Sequence, residues 1–169
     1  MTKIIRPIRI CGDVAYVLLT QGYEGIIDTA DVPLVEGRNW IASHNGRTVY
    51  MQRTDYSGKK RLTIRLHRLI MGNPCNLGVD HKDGNGLNNM RCNLRLSTQS
   101  QNMQNQRTRC DNLSGFKGVS LHKESGKFMA RIKFDKKTNY LGLFATPEDA
   151  FAAYCAASKR YHGEFGRTE

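Results

Sequence analysis

The sequence predicts an α+β protein with three parts. These are a small N-terminal β-meander, a central ββα unit, and a C-terminal three-stranded antiparallel sheet packed on one helix. Three observations carry that prediction. Short β-branched and alternating runs separated by turn dipeptides fill the N-terminal third. A Gly- and Asn-rich polar loop divides two short strands in the middle. Near the C-terminus, Thr146-Pro147-Glu148-Asp149 opens a helix behind three further strand-like runs. The predicted segments are 1–58, a β-rich region; 59–107, the central unit; 108–113, a linker; and 114–169, the C-terminal domain.

In the first segment Val14 to Thr20 reads as a strand, and Asp28-Thr29 is placed to cap a short helix through Val35, limited by Pro33. Trp40 to His44 and Arg47 to Arg53 flank Asn45-Gly46, a strong hairpin signal. A second turn at Tyr56-Ser57-Gly58-Lys59 leads into a run where Leu62, Ile64 and Leu66 alternate with Arg61, Thr63 and Arg65. His67 to Gly72 reads as a helical turn closed by glycine. Val79 to Lys82 and Leu94 to Leu96 read as strands around the turn-rich Asp83-Gly84-Asn85-Gly86. Thr98-Gln99-Ser100-Gln101 is a capping box, so a helix starts near Gln99 and carries Asn102. Gln104 to Asn112 has no apolar period and reads as a helix end and linker.

Charge narrows the function. Net charge is +11, unevenly spread: residues 1–58 are neutral, 59–109 carry ten basic and two acidic residues, and 110–169 carry ten and seven. A basic block around a polar loop favours a polyanionic partner. No apolar leader or bilayer-length run appears, which predicts a soluble, cytoplasmic, non-secreted protein without a membrane partner. The five scattered cysteines form no C-x-x-C pair, so neither structural zinc nor a disulfide framework is expected, and most read as small core residues.

The central stretch carries the chemistry. Asp80 sits beside His81, and several asparagines follow. A neutral imidazole can deprotonate water near physiological pH. A carboxylate and an amide oxygen suit a hard divalent ion that keeps open positions. Neighbours on a strand point to opposite faces, so the Asp-His pair calls for a bulge or twist, or acts on two sides of one phosphate. LHRLIMG, VDHKDGNGLNN, NLR and QN resemble the HNH nuclease family in its phage and homing-endonuclease branch. The resemblance implies a ββα unit that holds one Mg²⁺ or Mn²⁺ per site. It implies that Asp80 and Asn102 are metal ligands and His81 is the general base. Asn93 becomes the asparagine that braces the loop and orients the histidine, and His67 a supporting or phosphate-contacting residue. Arg61, Arg65, Arg68 and Arg95 are candidate phosphate contacts around this unit.

In the last segment Phe116 to His122, Lys127 to Phe134 and Tyr140 to Phe144 read as strands, with turns at Glu124-Ser125-Gly126 and Lys136 to Asn139. Phe128, Ala130, Ile132 and Phe134 share one face; Lys127, Met129, Arg131 and Lys133 share the other. Ala150, Ala153, Tyr154, Ala157 and Tyr161 recur at helical spacing up to a stop at Gly163. SGFKGV, GKFMARI, YLGLFATPEDAFAAYCAAS and HGEFG resemble the plant ethylene-response-factor (Apetala-type) DNA-binding domain. That resemblance implies a sheet that contacts double-stranded DNA through Lys117, Ser120, His122, Lys127, Arg131 and Lys133. Lys117, Ser120 and His122 replace arginines of the plant pattern, and Phe128 replaces its tryptophan, so no target sequence carries over.

Together these readings describe a metal-dependent, sequence-preferring DNA endonuclease of a phage or mobile element. It needs no small-molecule cofactor and acts as a monomer or a dimer in the bacterial or infected cell. Two rival classes remain open at this stage. One is a catalytically inactive DNA-binding regulator; the other is an RNA-binding module, which would need stacking aromatics on an exposed sheet.

Overall fold

The computed structural model describes residues 5–46 and 48–168 and has the expected α+β class. Its strands form three antiparallel three-stranded sheets and one two-stranded sheet among the described residues. The chain divides into two compact units, Met1–Gln99 and Ser100–Glu169.

The first unit opens with β1 (Ile8–Cys11), β2 (Val14–Leu18) and β3 (Glu24–Asp28), paired in that order. A 3-10 turn over Thr29–Asp31 leads into α1 (Val32–Val35). A second sheet follows: β4 (Ile41–Asn45), β5 (Thr48–Ser57) and β6 (Lys60–Arg65). The single predicted meander is therefore two sheets. Neither β1 nor β3 was expected, because β1 is largely exposed and neither strand has a long apolar alternation. Asn45 pairs with Thr48 at the predicted hairpin, where Gly46 takes φ +60°. Arg47, the first residue of the second predicted strand, lies outside the described residues.

Two local expectations are corrected. Asp28 does not cap the following turn with its side chain; its carboxylate accepts the Arg91 backbone N–H at 2.7 Å instead. Leu62 is exposed and Ile64 only partly buried, so the apolar face of β6 is weak until Leu66, which is fully buried.

One core runs through the whole unit. Ala15, Val17, Ile27, Val35, Trp40 and Met51 pack with Leu66, Ile70, Val79 and Leu94. The expected boundary at residue 58 therefore separates no two cores. Burying these side chains at about 25 cal/mol per Å² of apolar surface binds the N-terminal sheets to the central strands. Those strands are β7 (Gly78–His81) and β8 (Leu94–Ser97), which follow the short α2 (Leu66–Ile70). They pair antiparallel in regular register, from Gly78 with Ser97 to His81 with Leu94.

The second unit starts on α3 (Gln99–Gln104), whose first residue closes the unit before it. It continues with β9 (Val119–His122), β10 (Lys127–Phe134), β11 (Lys137–Phe144) and α4 (Pro147–His162). Strand β9 begins three residues later than predicted, after Gly118 at φ +75°. A Cβ at Gly118 would collide with the Tyr154 ring, so glycine lets this loop lie on α4. The β10–β11 turn is Asp135-Lys136, both at positive φ, and β11 begins earlier than expected. Thr146 caps α4 by accepting the Asp149 N–H at 3.2 Å, and Gly163 ends it at φ 55°. Val119, Ala130 and Ile132 meet Ala150, Tyr154 and Ala157 in two adjoining clusters. The cysteines are not core residues: Cys11, Cys75, Cys92 and Cys110 are exposed, and Cys155 is partly buried.

One glycine holds the central loop against β5. A Cβ on Gly86 would collide with the Val49 carbonyl oxygen and stand 2.7 Å from Tyr50 Cδ1. Backbone cannot yield as a flexible side chain does, so Gly86→Ala is expected to lower stability by about 2 kcal/mol. Urea unfolding, read as a lower midpoint at unchanged slope, checks this.

Candidate active site

His81 ends β7 and turns toward three neighbours: His67 on α2, Tyr50 on β5, and Asn89 in the loop between β7 and β8. The His67 and His81 rings meet edge to face with centroids 5.0 Å apart. Tyr50 lies 5.4 Å from His67 and 5.9 Å from His81. Both imidazoles are 5% exposed. Burial pushes His81 below its ordinary pKa, partly offset by the Asn89 hydrogen bond and by the Asp83 and Asp80 charges. Burial also drives His67 down to about 3, helped by His81, Arg65 and Arg68. His67 Nδ1 is buried with no hydrogen-bond partner among the described residues. Both rings are neutral near pH 7.

Asn89 fixes the tautomer of His81. Its Nδ2 donates to the Leu87 carbonyl at 3.1 Å, so its Oδ1 faces His81 Nε2, at 3.3 Å. Nε2 therefore carries the hydrogen and Nδ1 the lone pair. Asn93, expected to brace the loop and orient the imidazole, ties the loop together, while Asn89 is the asparagine that meets His81. Asn93 donates to Asp83 Oδ1 at 3.0 Å and to the Asn88 carbonyl at 2.8 Å, and accepts the Asp83 N–H at 3.1 Å. Asp83 in turn accepts from Asn88 Nδ2 at 2.8 Å. Sequence reasoning passed over Asn89 and Tyr50. Nothing in the spacing of an Asn-rich loop separates Asn89 from Asn88, and Tyr50 is distant in sequence.

The loop is anchored from outside as well. Ile26 of β3 donates to the Leu87 carbonyl at 2.8 Å and accepts the Asn89 N–H at 2.7 Å, a parallel bridge centred on Asn88. Arg91 pairs with the buried Asp31 through its Nε at 3.0 Å and a terminal nitrogen at 2.7 Å.

On the opposite face of β7, Asp80 lies across from Arg95. Arg95 Nε and a terminal nitrogen reach Asp80 Oδ2 at 2.9 and 2.8 Å, with both side chains nearly buried. The strand is regular, so the adjacent Asp-His pair needs no bulge; the two residues simply serve two faces. This ion pair also moves Arg95 from a candidate phosphate contact to a partner of Asp80. Arg68 is similarly engaged: it donates to the carbonyls of Pro74 and, at 3.2 Å, Leu77. Arg61 and Arg65 are exposed on β6.

In the second unit Asn102 is exposed on α3. Lys117 was expected on a DNA-facing surface; its ammonium donates to the carbonyls of Gln104 and, at 2.6 Å, Gln106. Lys117 thus caps the C-terminal end of α3, where a cation complements the helix dipole. Burial, with Arg167 adding, lowers its pKa to about 8. Lys127, Arg131 and Lys133 are exposed, and Ser120 and His122 partly so; His122 Nδ1 lies 2.9 Å from Ser125 Oγ.

A short helix, two antiparallel strands around an asparagine-braced loop with an Asp-His pair ending the first strand, and a following helix come in the chain order of a ββα nuclease unit. Residues 66–104 match the HNH endonuclease family model. DNA endonuclease I-HmuI of Bacillus phage SP01 is 34% identical over 97 residues, 53% of this chain and 56% of the relative. An uncharacterized HNH endonuclease, L560 of Acanthamoeba polyphaga mimivirus, is 31% identical over 135 residues, 79% of this chain and 67% of the relative. Protein 3.8 of Escherichia phage T7 is 33% identical over 89 residues, 53% of this chain and 73% of the relative. The chain belongs to the HNH endonuclease family, whose members are nuclease hydrolases. The matched region spans just over half the length of the Bacillus phage relative. No solved structure matches. No described helix is long and apolar enough to cross a membrane.

The buried imidazoles set a pH dependence. Unfolded, each titrates near 6.5; folded, each titrates lower. The unfolded chain therefore binds more protons in the window between, and stability falls as pH drops from 6.5 toward 3. At about pH 4.5 His67 alone is expected to cost on the order of 2 kcal/mol relative to about pH 7. Urea unfolding at the two pH values measures it. His67→Phe should shrink the difference, and an undiminished loss would place its source elsewhere.

Proposed function

We propose that this chain is a metal-dependent, sequence-preferring DNA endonuclease of the phage or mobile-element homing type, acting on double-stranded DNA in the cytoplasm of its host. The observation that carries this reading is the neutral His81, locked by Asn89 with its lone pair on Nδ1, at the end of the strand that holds Asp80. His81 takes a proton from the attacking water through Nδ1. The water oxygen bonds to phosphorus, and the P–O3′ bond breaks. The products carry a 5′-phosphate and a 3′-hydroxyl, the latter protonated from solvent. Asn89 keeps the imidazole in the required tautomer, and Tyr50 and His67 wall its ring against rotation.

Asp80 and Asn102 would hold one Mg²⁺ or Mn²⁺. Both offer hard oxygens, the donor type that a small divalent ion takes. When bound, the ion supplies positive charge against the phosphate and the leaving oxygen. Arg95 shares the Asp80 carboxylate and orients it. The C-terminal unit would read DNA in the manner of an ethylene-response-factor sheet, through Lys127, Arg131, Lys133, Ser120 and His122. One active site per monomer would nick one strand at a time.

Nicking of supercoiled plasmid with Mg²⁺ or with EDTA is the test. Failure to cut plasmid or long phage DNA in a metal-dependent way would sink the enzyme reading and leave a DNA-binding regulator. His81→Ala should reduce nicking about a hundredfold or more while gel-shift binding persists. Lost binding would assign His81 a structural role. Changing Lys127, Arg131 and Lys133 together to Ala should weaken binding and reduce the salt slope of log affinity by up to about 3. An unchanged slope would remove that face from the phosphate contacts.

A further inference from the structure

Strand β5 changes partners along its length. It pairs with β4 from Thr48 to Gln52 and with β6 from Gln52 to Ser57. From Arg53 to Ser57 it is therefore paired with β6 alone, as a two-stranded ribbon running past the end of β4. The register sorts its side chains. Gln52 opposes Arg65, Thr54 opposes Thr63, and Tyr56 opposes Arg61, all on one face. Arg53 opposes Ile64, Asp55 opposes Leu62, and Ser57 opposes Lys60 on the other.

The two faces differ in kind. The second is engaged within the unit: Arg53 pairs with Asp55 at 3.1 Å, Arg38 reaches Asp55 at 3.8 Å, and the Arg53 guanidinium sits 5.3 Å from the Trp40 ring centre. The first presents only groups that form hydrogen bonds. Arg61, Thr63 and Arg65 are exposed, and Tyr56 is 72% exposed. Residues 52–65 carry five basic side chains against the single acid Asp55, which its arginine partners already neutralise.

We propose that the β5–β6 ribbon enters the major groove of duplex DNA with its Gln52, Thr54, Tyr56, Arg61, Thr63 and Arg65 face toward the base edges. This would be a second reading element, separate from the C-terminal sheet. A two-stranded ribbon fits the major groove, and Arg, Gln and Thr match the donor and acceptor patterns there. The five-residue ribbon is roughly 17 Å long, about five base-pair steps. The inference rests on DNA being the substrate, as proposed above.

The test is selection from a random duplex library by the full chain in EDTA, with the bound pool sequenced. Arg61→Ala with Arg65→Ala should bind roughly tenfold or more weakly and lose preference over one contiguous block of about five base pairs. Thr54→Val, Tyr56→Phe and Thr63→Val together remove three hydroxyls at nearly constant shape and should blur the same block. Thermal melts confirm that both variants fold. Uniform weakening with an unchanged preference would reduce the ribbon to phosphate contacts and overturn base reading. Unchanged binding, or stronger competition by duplex RNA than by DNA, would overturn the ribbon altogether. Plasmid nicking by the wild type runs alongside. Nicking with an unaltered preference fails the ribbon alone; a lost block without nicking fails the nuclease reading alone.

Discussion

The active-site loop depends on an open sheet edge. Strand β3 has β2 on one side only, and Ile26 gives both its backbone groups to Leu87 and Asn89. A free edge is usually a hazard, because its unpaired N–H and C=O groups recruit other strands. Here the edge is covered by the segment whose position matters most. Asn89 meets His81 only because its backbone is fixed on Ile26. Asp28 at the end of that strand and Asp31 just beyond it hold Arg91. The N-terminal sheets are the bed on which the loop lies.

The two faces of β7 separate two electrostatic problems. His81 is surrounded by rings and an amide, an environment that penalises the charged imidazole. Asp80, one residue away, is on the side where Arg95 answers its charge. A buried carboxylate left without such a partner would be strongly destabilising, by several kcal/mol. Alternation along the strand thus puts the buried imidazole and the Arg95-paired carboxylate on opposite faces, and the Asp80 charge offsets only part of the effect of burial on His81.

Much of this was legible in the sequence, and the reasons are local. Lys127 to Phe134, the Thr146 cap and the Asp80-His81 strand announce themselves through alternation, capping chemistry and turn residues within a few positions. What was not legible depends on contacts between distant residues. β1 and β3 lack an apolar signal of their own and exist because β2 pairs with both. Asn89, not Asn93, faces His81, because identical side chains in one loop are told apart only by where the backbone places them. Arg95 looked like a phosphate ligand from its charge, and Lys117 like a DNA contact from the resemblance that put it on the sheet. Each found an oxygen within the protein, Arg95 across a strand pair and Lys117 at a helix end. A count of basic residues cannot distinguish a cation facing solvent from one already spent.

The Lys117 contact also alters where the protein can be divided. Chains built of two compact units are natural subjects for exchange of parts, and a polar linker looks like the seam. In this molecule the helix that bears Asn102 has its last turn closed by a residue from beyond that linker. The compact units part at Gln99, not at 108–113. A graft made at the linker would keep the family-matched sequence whole but leave α3 without its closing cation. A chimera joined ahead of α3, or one whose new C-terminal unit brings its own lysine to those carbonyls, preserves the helix as it stands here.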